Sequence, residues 1–156
     1  MYNFSIFIDD SIADNMKSKM DICNKLLINN METDDRLEGT DIVDLSGEQV
    51  EKYRRLLICN QKKIVLLQSS KPVSEKKYYQ KLFRKAHLLG VENVKVPVFR
   101  GEDSESFISD FKLISKTGNA YGIGVLLENA ETSFLSTDKE VTSIYKKVKS
   151  ANTGII

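Results

Sequence analysis

The sequence is poor in the residues that build disulfide scaffolds and zinc clusters. Its 156 residues include no tryptophan, two prolines, two cysteines and one histidine. Cys23 and Cys59 are too few and too far apart for a disulfide-rich secreted domain or a paired-cysteine zinc site. His87 alone cannot supply a histidine-rich zinc site or a Ser/His/Asp triad. This cysteine usage is typical of a reducing compartment, so we expect a cytoplasmic protein.

The chain also lacks an excess of charge and a long hydrophobic run. It has 23 Lys and Arg residues against 22 Asp and Glu residues, a net charge of +1. Such a balance gives no electrostatic attraction to nucleic acid or acidic membranes. The longest apolar runs, Ile64 to Leu67 and Val125 to Leu127, are far below the ~20 residues that a membrane span needs. We therefore expect neither nucleic acid nor membrane as a partner, and one domain over residues 1–156.

The first part of the chain predicts one strand, one helix and a poorly defined segment. Tyr2 to Ile8 alternates like a strand and stops at a turn of two aspartates and a serine. Apolar residues then recur at helical spacing from Ile12 to Leu27, through Met16, Met20 and Cys23, which predicts one buried helical face. Met31 to Leu45 is polar, and we expect a poor strand over Met31 to Arg36 followed by a loop.

The rest of the chain alternates helical and strand patterns about every 30 residues. A capping box of Ser46 and Gln49 opens a helix, and Gly90 is suited to close the next one in a left-handed conformation. Three more strands are predicted over 62–68, 93–99 and 123–127, with helices between them, and a last helix precedes a strand over 153–156. Short apolar strands alternating with helices favour parallel βαβ units, about six strands and five helices in all.

Two architectures accommodate this order of elements: an open doubly wound sheet, or an incomplete TIM (β/α)8 barrel. The doubly wound reading predicts a glycine-rich phosphate loop after the first strand. That turn is Asp9-Asp10-Ser11-Ile12, with no glycine and two negative charges, so a dinucleotide fingerprint is absent. Gly118, Gly122 and Gly124 precede a strand and are better explained as a helix stop and a strand entry.

Few charged side chains lie at the carboxyl ends of the predicted strands, where parallel sheets hold their functional sites. Glu128 ends the apolar strand before it and therefore projects from the carboxyl-end edge. Arg100 and Lys71 follow the fourth and third strands, where a cation could contact a sugar or a phosphate. Solvated surface charge is the common explanation for such residues, and packing or capping is the common explanation for His87 within its helix.

Three segments resemble the sugar phosphate isomerase/epimerase family of xylose isomerase-like TIM barrels, over most of the chain from about Ser46. They are Tyr78 to Phe99, with Leu88-Leu89-Gly90 and Val96-Pro97-Val98-Phe99; the run Gly122-Ile-Gly-Val-Leu-Leu-Glu-Asn; and Lys147 to Ile156. The first 45 residues match the family poorly. Asp34-Asp35-Arg36 stands where these barrels often show a Glu-hydrophobic-Arg strand end.

The resemblance implies a metal-dependent isomerase or epimerase that acts on a sugar or sugar phosphate. A divalent ion, Mg²⁺, Mn²⁺ or Zn²⁺, would polarise adjacent sugar oxygens while carboxylates move a proton. Glu128 corresponds to the first of four metal ligands and is the candidate catalytic residue. The resemblance places the other ligands, an Asp, a His and a Glu, beyond Ile156. The zinc-dependent endonuclease branch of the fold needs several histidines and is disfavoured.

We accordingly expect a chain that ends before most of the metal ligands, holds a divalent ion weakly if at all, and does not turn over on its own. The alternative is a non-catalytic protein that works by self-association or partner binding. The barrel interpretation predicts strands in chain order, with Asp9, Ser69, Arg100 and Glu128 at one edge, whereas an open doubly wound sheet would show the order 2-1-3-4-5. Because six strands leave two sheet edges and an apolar inner face uncovered, we also expect a homo-oligomer.

Overall fold

The computed structural model of the protein describes residues 4–99, 103–128, 135–148 and 152–156. The strands in this part of the chain are β1 (Ser5–Phe7), β2 (Asn30–Asp34), β3 (Arg36–Leu37), β4 (Thr40–Asp41), β5 (Lys63–Gln68), β6 (Asn93–Val96), β7 (Gly124–Leu127) and β8 (Thr153–Ile155). The helices are α1 (Met16–Lys25), α2 (Gly47–Cys59), α3 (Lys76–Leu89), α4 (Ser104–Ala120) and α5 (Asp138–Val148).

Six strands form one sheet in the order β1-β2-β5-β6-β7-β8, and every neighbouring pair is parallel. Apart from the small β3-β4 hairpin, this is the order in which the strands occur along the chain. The prediction of six parallel strands alternating with five helices is confirmed. A doubly wound sheet would show the order 2-1-3-4-5, so the open-sheet alternative is wrong.

The first helix is shorter than its apolar spacing predicts. Asn15 caps α1 by accepting a hydrogen bond from the Ser18 N–H, and the helix ends at Lys25. Leu27 follows in a left-handed conformation with φ 57°. Ile12 and Leu27 are 56% and 90% exposed, so the expected buried stripe is wrong at both ends, whereas Met16, Met20 and Cys23 are buried as expected.

The segment 31–45 is more ordered than the sequence indicates. Its strand, β2, lies between β1 and β5 inside the main sheet. The expected loop contains the β3-β4 hairpin, with Glu38 and Gly39 at its tip in left-handed conformations. Leu37 and Ile42 are fully buried, which explains how so polar a segment adopts one conformation.

Later helix boundaries follow their local signals. Ser46 and Gln49 form the predicted capping box of α2, and Gly90 ends α3 with φ 78°. The helix stop predicted at Gly118 and Asn119 is one to two residues early, since α4 continues to Ala120. No helix in the described ranges combines the length and apolarity needed to cross a lipid bilayer.

The two faces of the main sheet differ in composition. The face that we call the outer face packs on the helices, and its central residues are Met31, Thr33, Ile64, Leu67, Val94, Val125 and Leu127, all buried. The opposite face, the inner face, is partly exposed and carries Asp34, Gln68, Asn93, Lys95 and Leu126. The expectation of an apolar inner face is only partly right, because Phe7 and Leu66 share this side with those polar residues.

Candidate functional site

The carboxyl ends of the strands meet along one edge of the sheet, as predicted. Asp9 follows β1, Ser69 follows β5 and Glu128 follows β7. Arg100 lies outside the described residues. Because the strands are parallel and paired in register, side chains at these positions are neighbours in space although they are far apart in sequence.

A polar row crosses the inner face just below this edge. Strand register pairs Asp34 with Gln68, Gln68 with Lys95, and Lys95 with Leu126. Glu128 comes two residues after Leu126 and therefore continues the same side of β7. The row thus brings two carboxylates, an amide and an ammonium to one surface.

Lys95 and Glu128 form the central contact of the site. The Lys95 Nζ lies 2.7 Å from the Glu128 Oε2, and the two side chains are 17% and 50% exposed. A charge-assisted hydrogen bond of this length orients the carboxylate and holds the lysine against the sheet. Glu128 is therefore not simply solvated, which was the common explanation for a lone glutamate at a strand end.

A cleft of about 240 Å³ opens beside this ion pair. Its described lining comprises Gln68, Ser69, Lys95, Val96, Pro97, Val98 and Glu128. The lining thus combines hydrogen-bond donors and acceptors with apolar atoms at and after the end of β6. This combination suits a small molecule that carries hydroxyl groups on a carbon chain.

Lys71 lies near the cleft, but the recorded contacts of this residue are through its backbone. Its N–H donates to the Ser69 Oγ over 3.2 Å, and its carbonyl accepts from the Tyr79 hydroxyl over 2.6 Å. These bonds fix the turn after β5. The role of Lys71 in binding a sugar or phosphate stays a prediction.

A buried carboxylate anchors that same turn. Asp35 is 2% exposed, and its Oδ2 accepts from the Ser70 N–H over 2.7 Å and from the Ser70 hydroxyl over 2.9 Å. The Tyr78 hydroxyl donates to the same oxygen. Burial, and then the bond to Asp35, raise the pKa of Tyr78 well above its ordinary value, so the tyrosine stays a donor and the loop stays fixed.

A second network ties the first turn to the hairpin. The buried Lys19 Nζ donates to the Ile8 carbonyl over 2.9 Å and lies 3.1 Å from the Asp10 carboxylate. Asp10 accepts from the backbone N–H groups of Glu38 and Gly39. The Glu38 carboxylate in turn accepts from the Tyr53 hydroxyl, and burial raises the pKa of Tyr53 to about 12. The acidic turn after β1 is thus a structural anchor.

Asp34, at the end of the polar row, titrates abnormally. Burial is the largest cause that raises its pKa, and the negative charges of Asp10 and Asp35 raise it further. A carboxyl group in this position accepts a proton more readily than an exposed aspartate. Asp34 therefore adds negative potential to the row at the cost of some stability at neutral pH.

The remaining candidates are structural. The His87 Nδ1 lies 2.9 Å from the Tyr121 carbonyl, so this exposed histidine joins α3 to the end of α4, as its position in a helix indicated. Cys23 is buried and Cys59 is exposed.

The described residues of the cleft do not by themselves supply the ligands of a metal site. Across the described ranges, no three His, Cys, Asp or Glu side chains converge on one point. Glu128 offers one carboxylate, and that carboxylate already binds an ammonium group. Mg²⁺ and Mn²⁺ prefer near-octahedral oxygen ligation, which this donor set cannot supply. The metal-ligand role of Glu128 stays a prediction from resemblance.

Sequence reasoning missed Lys95, and it noted Asp34 and Asp35 at a strand end without assigning them a role. Lys95 had a usable signal, because Asn93-Val94-Lys95-Val96 alternates between polar and apolar residues and so places the lysine opposite the core. Asp34 and Asp35 fall in the segment 31–45, where the strand itself was poorly defined. Their partners come from β5 and α3, and no local pattern links these elements.

Comparison with known proteins identifies the architecture. No protein-family model and no curated protein sequence matches the chain. Solved structures do: a xylose isomerase-like TIM barrel protein from Mycobacterium smegmatis in complex with magnesium superposes with a TM-score of 0.77 at 12% identity, over 99% of this chain and 64% of that one.

Two further structures agree. A xylose isomerase domain containing protein from Salmonella typhimurium gives a TM-score of 0.76 at 19% identity, over 96% of this chain and 58% of that one. A D-psicose 3-epimerase, solved in the presence of D-fructose, gives 0.77 at 15% identity, over 97% of this chain and 62% of that one. The fold is that of an incomplete xylose isomerase-like TIM barrel. The chain spans about three fifths of the length of these structures.

Proposed function

We propose that this protein binds a sugar or sugar phosphate in the cleft beside Lys95 and Glu128. The observation that carries the proposal is the 2.7 Å ion pair at the carboxyl-end edge of a barrel sheet, the edge at which TIM barrels hold their active sites. Vicinal hydroxyl groups both donate and accept hydrogen bonds, and the cleft offers partners of both kinds in Gln68, Ser69, Lys95 and Glu128.

The fold relatives include an epimerase solved with D-fructose, which supports a sugar as the ligand. Isomerisation or epimerisation moves a proton between neighbouring carbons and needs an acid or base beside the bound sugar. Glu128 is the residue we assign to that role in the parent reaction. We propose that the 156-residue chain alone does not turn over, because the described residues supply only one carboxylate at the cleft and no metal cluster.

Binding is tested with ¹⁵N-labelled protein and two probes, D-fructose and D-fructose 6-phosphate, each with and without Mg²⁺. We expect chemical-shift changes at Ser69, Val96, Val98 and Glu128. Glu128→Ala should abolish those changes, and it should lower the unfolding free energy by about 1–3 kcal/mol without unfolding the protein, because it leaves the largely buried Lys95 ammonium without its partner. Shift changes confined to helix surfaces, or none with either probe, would refute the proposal.

Turnover is tested separately, by assaying ketose-to-aldose conversion with Mg²⁺ or Mn²⁺ added. Metal-dependent conversion by the purified 156-residue protein would show that the chain is catalytically sufficient, contrary to our proposal. Glu128→Gln distinguishes a genuine rate from contamination, because loss of the carboxylate should remove any activity of this site.

Self-association is the second candidate function. β1 and β8 form the two edges of the six-stranded sheet, and apolar side chains stand at both: Phe4 is 70% exposed, Ile155 46% and Ile156 51%. Edge strands carry backbone groups that can pair with another chain. We propose a homo-oligomer that buries more than about 1,000 Å².

Sedimentation at micromolar concentrations tests this candidate, with Ile155→Lys as the edge-blocking variant. We expect the wild type to sediment as a dimer or larger species and Ile155→Lys to shift it towards monomer. A wild-type monomer with a cooperative melt would eliminate self-association through these edges.

A further inference from the structure

The position of Lys95 bears on how a ligand is held in the cleft. Its ammonium contacts the Glu128 carboxylate at 2.7 Å, so a positive charge already stands beside the carboxylate that a cation would use. A divalent ion approaching Glu128 would meet repulsion from this ammonium and would have to displace it. Lys95 therefore opposes metal binding at the residue for which the resemblance predicts it.

We propose that this cleft binds a neutral, unphosphorylated sugar directly through the Lys95–Glu128 pair, without a divalent ion. The inference rests on the proposed function, which it narrows to one ligand class and one mode of binding. In this mode the ammonium donates to a hydroxyl or carbonyl oxygen of the sugar. The Glu128 carboxylate accepts from a neighbouring hydroxyl.

The hydrogen-bonding capacity of the pair allows this mode. An ammonium group has three N–H donors, and among the described residues the recorded partner of Lys95 is Glu128 alone. Two donors are therefore left for a ligand. The carboxylate likewise has lone pairs to spare after accepting one bond, and its half-exposed side chain can reach into the cleft.

The charge around the cleft favours a neutral ligand over a phosphorylated one. Lys95 and Glu128 cancel each other, and Asp34 lies in the same row two strands from Lys95, or about 10 Å away at the usual strand spacing. Among the described residues that line the cleft, Lys95 is the one cation, and Glu128 already neutralises it; a phosphate dianion would be repelled by Glu128 and by Asp34. A polyol encounters no such repulsion.

The geometry of Lys95 also limits the loss of entropy on binding. Its side chain is only 17% exposed and emerges from the middle of the sheet, between β5 and β7. A side chain already restricted by packing and by an ion pair loses less rotamer freedom when it engages a ligand. The cleft, about 240 Å³, is small beside the about 300–1,000 Å³ of drug-sized pockets, which suits one monosaccharide.

The experiment measures the affinity for two neutral sugars, D-fructose and D-xylose, by saturation-transfer NMR and chemical-shift titration. Each titration is run in EDTA and again in excess Mg²⁺, and D-fructose 6-phosphate is titrated in parallel. We expect at least one neutral sugar to bind with equal affinity in EDTA and in Mg²⁺, and more tightly than the phosphate ester.

Two variants test the role of the pair, and one serves as a matched control. Lys95→Met keeps the length of the side chain and removes its charge, and Glu128→Gln keeps the shape and removes the other charge. Each should weaken sugar binding about tenfold, the worth of one charge-assisted hydrogen bond. Lys63→Met makes the same substitution in a longer and more exposed pair, Lys63–Glu92 at 3.6 Å, at the opposite end of β5, and should leave binding unchanged.

The outcomes separate this inference from the proposed function. If the sugars bind only in Mg²⁺, or if the phosphate ester binds more tightly in EDTA, the cleft is a sugar site but the metal-free mode is wrong. If neither the sugars nor the ester bind in any solution, both proposals fail. Should Lys95→Met not fold, Glu128→Gln decides, because unchanged affinity in that variant overturns the direct role of the pair.

Discussion

The two faces of the main sheet have opposite chemistry although they belong to the same strands. On the outer face, Leu67, Val94 and Val125 pair across β5, β6 and β7 and are all fully buried against the helices. One residue further along each strand, Gln68, Lys95 and Leu126 pair on the inner face and are partly exposed. The outer face therefore stabilises the fold, while the inner face is available for binding.

The largest expected effect comes from truncating a buried side chain on the outer face. Leu67→Ala should lower the unfolding free energy by about 2–5 kcal/mol, because Leu67 is fully buried and the vacated space cannot refill completely. The adjacent inner-face change Gln68→Ala should cost less than about 0.5 kcal/mol. Urea denaturation of both variants measures the difference, and equal losses would show that the two faces are not distinct.

A steric change on the inner face should have the next largest effect. A Cβ added at Gly124 would lie 2.2 Å from the Asn93 Oδ1, and Asn93 also donates to the Val65 carbonyl over 3.2 Å. Gly124→Ala should therefore destabilise the fold by about 1–3 kcal/mol, as overpacking does.

A double-mutant cycle identifies the cause. Asn93→Ala combined with Gly124→Ala should cost less than the sum of the two single changes, since the clashing atom is gone. Thermal denaturation measures the losses of stability. If they are strictly additive, the cost of Gly124→Ala does not come from a clash with Asn93.

The outer face also carries the buried polar residue Thr33, and replacing it should sharpen the contrast. Thr33 is fully buried, and its Oγ1 has no hydrogen-bond partner within the described part of the chain. Thr33→Val replaces the hydroxyl with a methyl group of similar size. We expect a gain of about 1 kcal/mol, because an unsatisfied buried hydroxyl is removed. The same change at the partly exposed Thr142 is the control, and a loss of stability in Thr33→Val would contradict this account.

The smallest expected effect concerns the acidic end of the inner row. Because the folded protein raises the pKa of Asp34, the folded state binds its proton more tightly than the unfolded state does. Its contribution to stability is therefore present below the unfolded pKa and is lost as pH rises through the folded pKa.

Asp34→Asn should stabilise the protein at pH 7 by less than about 1 kcal/mol, the group being partly solvated. The gain should vanish when the pH falls below the ordinary aspartate pKa of 3.8. Melting curves from pH 3 to pH 7 measure it, with Asp138→Asn, on the exposed start of α5, as the control. A gain that persists at pH 3 would point to a cause other than titration.

The helices, the strands and their parallel order were accessible to sequence reasoning because each has a local signal. The capping box at Ser46, the glycine at position 90 and the apolar run before Gln68 each act within a few residues. The same reasoning failed at Ile12 and Leu27, because spacing alone does not show that Asn15 starts the helix late and that Leu27 adopts a left-handed turn.

Sequence reasoning found only part of the candidate site. Glu128 was found because a carboxylate at the end of an apolar strand must reach the carboxyl-end edge of a parallel sheet. Its partner was not found, since Lys95 precedes Glu128 by 33 residues and only strand pairing brings them together. The anchoring roles of Asp35 and Lys19 were missed for the same reason, as their partners lie on other elements.

The sequence by itself determined the alternation of helices and strands, the absence of a dinucleotide loop and the strand-end position of Glu128, because these depend on periodicity and neighbouring residues. The tertiary structure decided which side chains meet. Strand register aligned Asp34, Gln68 and Lys95 into one row, and the pairing of β6 with β7 set an ammonium against Glu128. Register is a long-range property, fixed by packing of the outer face on the helices, and no short segment of the chain encodes it.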